Sequence, residues 1–156
     1  GQVVPSYNLQ FQFGVTLQNS SYKEPEKWSD DITIKPQQRM FRAPNQYGYL
    51  TANYNVKNDL KISLSGTYTG SMLVQHFAGY IAKDAEKETD IFLDVNVKIS
   101  YDFEISSTTK LQFNGGIQNI FNSYQKDLDK GPFRDAGYIY GPSLPRTYFI
   151  GLKLVI

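Results

Sequence analysis

Between positions 91 and 105 every odd residue is apolar: Ile91, Leu93, Val95, Val97, Ile99, Tyr101, Phe103 and Ile105. From position 94 the even residues are polar: Asp94, Asn96, Lys98, Ser100, Asp102 and Glu104. A strand turns successive side chains to opposite faces, so this segment fits a long two-faced strand. A helix would scatter the same apolar residues around its circumference.

Five other segments carry the same period. Positions 7–18 set Tyr7, Leu9, Phe11, Phe13, Val15 and Leu17 against Asn8, Gln10, Gln12, Thr16 and Gln18. Positions 47–56 and 60–72 follow, the latter with Leu60, Ile62, Leu64, Tyr68 and Met72 on one face. Positions 110–121 place Leu111, Phe113, Ile117 and Phe121 together, and positions 147–156 place Tyr148, Ile150, Leu152, Leu154 and Ile156 together. No amphipathic helix pattern interrupts them. Segments of roughly 10 to 15 residues exceed the usual soluble strand of about five or six and match the roughly 9 to 11 that a tilted membrane strand needs.

The connections alternate in length. Lys57-Asn58-Asp59 and Ser106-Ser107-Thr108-Thr109 are short polar turns, whereas positions 19–46, 73–90 and 122–146 are long. Short turns on one side and long loops on the other are the layout of an outer-membrane barrel, with the turns periplasmic and the loops extracellular. The expected fold class is therefore all-β: about six long antiparallel up-and-down transmembrane strands, forming part of a larger barrel. An even count places both Gly1 and Ile156 at the periplasmic end.

Composition is compatible with this. No run of about 18 apolar residues exists, which excludes a membrane helix. The mean hydropathy of −0.43 looks soluble, but a membrane barrel turns a polar residue inward at every second position, so its average stays low. Twelve Tyr and ten Phe suit surfaces that are half apolar and half wet. Sixteen Lys+Arg against fifteen Asp+Glu give no basic excess for nucleic acid, and zero cysteines exclude disulfides and thiol chemistry.

The last third resembles the C-terminal end of TonB-dependent outer-membrane receptors of the Bacteroidetes type. The resemblance rests on Asn114-Gly115-Gly116-Ile117-Gln118-Asn119-Ile120-Phe121-Asn122, then Asp127-Leu128-Asp129-Lys130-Gly131 and Arg134-Asp135-Ala136-Gly137-Tyr138. It closes with Tyr140-Gly141-Pro142-Ser143-Leu144-Pro145-Arg146, a Gly-Pro-x-x-Pro-Arg block directly before the terminal strand, and Gly66-Thr67-Tyr68-Thr69-Gly70-Ser71-Met72 resembles an earlier strand. Together these cover roughly positions 41–156. The chain departs from such barrels, which usually end on an aromatic residue, by ending on Ile156. The resemblance implies that residues 1–156 are the C-terminal portion of a barrel closed by a plug domain that lies outside this sequence. It further implies location in the cell outer membrane and import of a scarce nutrient (cobalamin, an iron-siderophore or haem, or a glycan). The implied partners are the lipid bilayer, the remaining strands and plug, and TonB through that plug; about six strands are present of the roughly 22 in such transporters.

Candidate chemistry is sparse, and neither a catalytic residue, a metal site nor a cofactor is expected. His76 is the single histidine, so no multi-histidine site can form. Asp127-Leu128-Asp129-Lys130-Gly131 has too few oxygens for a Ca²⁺ loop; Asp129 and Asp135 are expected to pair with Lys130 or Arg134. The polar set Asp94, Asn96, Lys98, Asp102 and Glu104 holds carboxylates at a spacing that superficially suits glycoside hydrolysis, but it reads as a barrel wall. A nutrient would be met by aromatic and imidazole groups in the extracellular loops, with Trp28, His76, Tyr80 and Tyr138 as the expected contacts. Two other readings compete with transport: a self-contained small outer-membrane barrel with a structural or adhesive role, and a soluble aromatic-rich β ligand-binding module.

Overall fold

The computed structural model describes residues 1–155, so Ile156 lies outside the described residues. The described residues form eleven strands: β1 (Gln2–Ser6), β2 (Leu9–Leu17), β3 (Ser21–Glu26), β4 (Gln37–Arg39), β5 (Gln46–Asn55), β6 (Leu60–Thr69), β7 (Leu73–His76), β8 (Ala85–Glu88), β9 (Phe92–Glu104), β10 (Lys110–Gln118) and β11 (Thr147–Val155). Seven of them make one antiparallel sheet in the order β1-β2-β5-β6-β9-β10-β11, while β3–β4 and β7–β8 are hairpins within two of the long loops. The sheet is open at β1 and β11. Among the described residues no helix is long and apolar enough to cross a membrane, which says nothing of strands.

All six expected strands are present, and the register explains why their alternation is so regular. Reading across the sheet, Leu9, Tyr54, Ile62, Ile99, Gly115 and Ile150 face one another in a row. One residue along, the row is Gln10, Asn53, Ser63, Lys98, Gly116 and Phe149. A slip of one residue on any strand would exchange its faces, so the pattern itself fixes the pairing. The polar face ties neighbours together: Ser63 Oγ donates to Asn53 Oδ1 at 2.8 Å, and Gln112 Nε2 donates to Asp102 Oδ1 at 2.7 Å. The apolar face is uncovered, with Val15 and Ile150 each 76% exposed.

Two expectations are corrected. A seventh strand, β1, pairs back along β2, so Phe13 N donates to Gly1 O at 2.9 Å and Gly1 lies midway along β2 rather than at the short-turn end. Adjacent Val3 and Val4 followed by Pro5 break the period, and the ladder shifts between Val3 and Ser6 accordingly; an edge strand tolerates both. The strand expected over 110–121 also stops early, at Gln118, because Asn119 takes a φ of 50°.

Three tight turns, centred on Tyr7-Asn8, Asn58-Asp59 and Ser107-Thr108, close one end of the sheet. The three long loops gather at the other. The cluster of buried apolar residues sits there rather than on the sheet: Met72, Val74 and Tyr138, with Tyr140 packed against them.

Candidate functional site

The loop end is one body built around the middle loop. Arg39 of β4 donates to both carboxylate oxygens of Glu88 on β8, at 2.6 and 2.9 Å. Trp28 Nε1 donates to Glu86 Oε1 at 2.8 Å, and its ring meets Phe41 and Phe77 edge-on at 5.8 and 5.4 Å. Ser29 Oγ donates to Asp84 Oδ2 at 2.6 Å, joining the first loop to the second again. The third loop joins through Phe77 N, which donates to Asp135 Oδ2 at 3.1 Å, and through the Arg42 guanidinium, which donates to Ile139 O at 3.2 Å.

At the centre of this body Asp127 receives three donors. Lys87 pairs with its Oδ2, Tyr138 OH donates to the same oxygen at 2.9 Å, and Tyr140 OH donates to Oδ1 at 2.6 Å. Burial works to raise the Asp127 carboxyl, but these bonds outweigh it and hold the group at about 2. The two phenols shift the other way: burial first, and then the bond to Asp127, push Tyr138 and Tyr140 well above the ordinary phenol range. Lys87 lies in no motif, and the sequence blocks that contain Asp127 and Tyr140 say nothing of their meeting. Their meeting depends on the second and third loops docking.

The four residues expected to meet a ligand divide into two pairs. His76 is 8% exposed and Tyr138 2%. Their rings stack at 3.6 Å with an 8° tilt, and His76 Nε2 lies 2.9 Å from Asp129 Oδ2. Both are part of the support beneath the loop surface. Trp28 is half-buried by its aromatic neighbours, and Tyr80 is 52% exposed at the tip of the second loop. The expected pairing of Asp129 and Asp135 with Lys130 or Arg134 gives way to other partners. Asp129 takes His76 and the Asp135 amide, while Asp135 accepts from the amides of Phe77 and Gly137. Phe77 and Phe133 are also exposed, and Gly79, next to Tyr80 in the chain, adjoins the Phe133 carbonyl. Among the described residues no three His, Asp or Glu side chains are grouped to hold a metal ion.

The Asn-Ile-Phe-Asn end of β10 clamps the return into β11. Asn119 Nδ2 donates to Leu144 O at 3.0 Å and Ser123 O at 3.2 Å, and its Oδ1 accepts from Ser123 N at 2.8 Å. Asn122, at a φ of 55°, accepts from Arg146 N through Oδ1 at 2.9 Å. Asn tolerates left-handed backbone better than other side chains, so both residues turn the chain while binding it. The Pro142–Pro145 stretch contributes no ladder bond, and pairing resumes at Gln118 opposite Thr147.

An open antiparallel wall with one bare apolar face, one polar face, tight turns at one end and a built loop body at the other is the wall of a β-barrel-type protein. Its fold is similar to that of the ferric-catecholate import receptor Fiu from K12 E. coli, in its closed form, with a TM-score of 0.63 and 20% sequence identity. The match covers 97% of this chain and 19% of that one, so the chain spans about a fifth of that receptor's length. At this identity the likeness is one of fold. No protein-family profile matches the chain, and no curated protein matches it.

Proposed function

We propose that residues 1–156 are the C-terminal portion of a TonB-dependent receptor of the Bacteroidetes type, set in the cell outer membrane and importing a scarce nutrient. The carrying observation is the two-faced sheet: six strands present an apolar face that nothing among the described residues covers, backed by a polar face. A soluble sandwich would bury that face against a second sheet, and an exposed apolar surface of this extent marks an interface. Lipid on one side and a filled, polar lumen on the other satisfy both faces. The open edges at β1 and β11 support membership of a larger barrel, since lipid cannot satisfy unpaired strand groups. A self-contained barrel would need those edges to pair.

In this reading the chain is a wall and a set of loops, not an enzyme. The plug and TonB act through parts of the receptor outside it. Nutrient classes that fit are cobalamin, an iron-siderophore or haem, and a glycan. Tyr80 and Trp28 would touch the ligand from the loop surface, and the His76–Tyr138 stack would hold that surface in place. The test is spin labelling in vesicles. Labels at Val95 and Val97 are expected to be relaxed by lipid-soluble oxygen, and labels at Thr67 and Lys98 to be sheltered from it. Equal accessibility on both faces would sink the membrane reading.

A further inference from the structure

The apolar face carries a groove that its own packing does not account for. Near the loop end Val15, Gly48, Tyr68 and Leu93 face one another in one row, and Phe13, Leu50, Gly66 and Val95 in the next. The two glycines are diagonal neighbours, and over them lies an open, almost wholly apolar groove of about 340 Å³. A glycine inside a strand weakens it, and it marks a bulge, a close backbone approach or a place where a ligand comes near. Gly48 is a close approach: a Cβ there would stand 2.7 Å from the Gly14 carbonyl oxygen. Gly66 has no such reason. Its backbone is not left-handed, and both of its ladders run through it without a shift of register. A Cβ on Gly66 would meet only Val95 Cγ2 at 3.6 Å and the Asp94 carbonyl oxygen at 4.0 Å, both ordinary contacts. A side chain would fit, so its absence leaves room that the fold itself does not require. Gln46, paired with Leu17, stands at the loop end of the groove with a carboxamide that can both donate and accept.

Resting on the reading of this face as lipid-facing, we propose that the groove over Gly48 and Gly66 seats one acyl chain of a lipid in the leaflet on the loop side. From Gln46 to Ala52, the partner of Leu64 at the far end of the groove, the strand rises about 20 Å. At a tilt of about 45° that covers close to half of a hydrocarbon core about 30 Å thick, the depth that a chain of one leaflet fills. Within lipid the gain is packing: a chain in the groove is walled on its sides as well as beneath, where the flat sheet meets it on one side only. The Gln46 carboxamide is placed to meet the ester group that joins the chain to its headgroup.

The test uses the whole chain folded in micelles of a bile-salt detergent, which has no acyl chain of its own, titrated with dimyristoyl phosphatidylcholine. Methyl NMR signals of Leu50, Leu64 and Val95 are the readout, with Ile150 and Leu152, on the same face away from the groove, as reference. The groove signals are expected to shift saturably while the reference signals do not. Gly66→Leu, which fills the groove from its floor, should weaken binding about tenfold. Gly66→Ala should weaken it less, and unchanged reference signals show that each variant is folded. Equal response at both sets of methyls, or unaltered binding by Gly66→Leu, overturns the proposal. So does a dimer in sedimentation that Gly66→Leu splits, for then the groove belongs to a second copy of the chain. The oxygen-accessibility measurement above is independent. If Val95 and Val97 are relaxed by oxygen, Thr67 and Lys98 are sheltered and the groove still fails to saturate, the membrane reading stands and only the inference about the groove falls.

Discussion

At the scale of single residues, the side chains that matter most are those doing two jobs at once. Asn119 bends the backbone through a φ of 50° and ties Ser123 and Leu144 to the end of β10. Replacing it with Ala removes the bonds and leaves a strained backbone, at a cost of about 2–3 kcal/mol. Asn119→Gly relieves the strain alone and should recover about 1 kcal/mol of that. Denaturant unfolding in detergent checks both, and equal stability of the two variants would show that the backbone bend contributes nothing. Asp127 is the second case. Its folded-state pKa lies below the ordinary 3.8, so its bonds stabilise the loop body fully above that value and are lost as pH falls through about 2. Because its side chain is 39% exposed, solvent screening leaves about 1 kcal/mol or less of this linkage. Protection of the Gln125 and Tyr140 amides against hydrogen exchange, referred to the unfolded chain at the same pH, should fall in the wild type between pH 4 and 2, and the Asp127→Asn variant should show the lower protection already at pH 6. A flat wild-type profile would remove Asp127 as the clasp.

At the scale of elements, the strands were legible because each face is uniform. Eight apolar residues from Ile91 to Ile105 leave β9 only one register that keeps them together. β1 is not legible in the sequence because Val3, Val4 and Pro5 have no period. Neither is β7, whose faces are set by the loops and not by the sheet: Val74 and His76 turn inward to meet Tyr138 across more than sixty residues of sequence. The same distance hides the site. The sequence offers His76 as a ligand contact because its neighbours in sequence say nothing of Asp129 or Tyr138, which reach it only when two loops dock. Face assignment yields the element-scale test. If β9 spans the bilayer, Val97→Arg should cost about 2–4 kcal/mol near the midplane, whereas Thr67→Arg, on the polar face of the paired strand, should be nearly silent. Asn96 is unsuitable as that control, since it accepts the Asn119 amide. Refolding stability in vesicles measures the contrast, and similar losses for both variants would mean the faces are reversed or equivalent.

At the scale of the whole molecule, the loop body is firm but incomplete as a binding site. Its three loops brace one another through Arg39–Glu88, Trp28–Glu86 and Lys87–Asp127, yet its exposed aromatics Phe77, Tyr80 and Phe133 lie on a surface rather than around a pocket. Ligand sites that bind well bury most of the ligand in a concave site. This chain offers an open wall about a fifth the length of the receptor it resembles in fold, and on the proposed reading the rest of any rim comes from other strands. The isolated chain is therefore expected to bind cobalamin, iron-catecholate chelates and oligosaccharides no more tightly than about millimolar, worth about 4 kcal/mol. Titration calorimetry of the detergent-folded chain against each class decides it. Micromolar binding to any of them would mean that Trp28, Tyr80 and their neighbours form a complete site within 156 residues, and the chain would then have to be understood as a binding module in its own right.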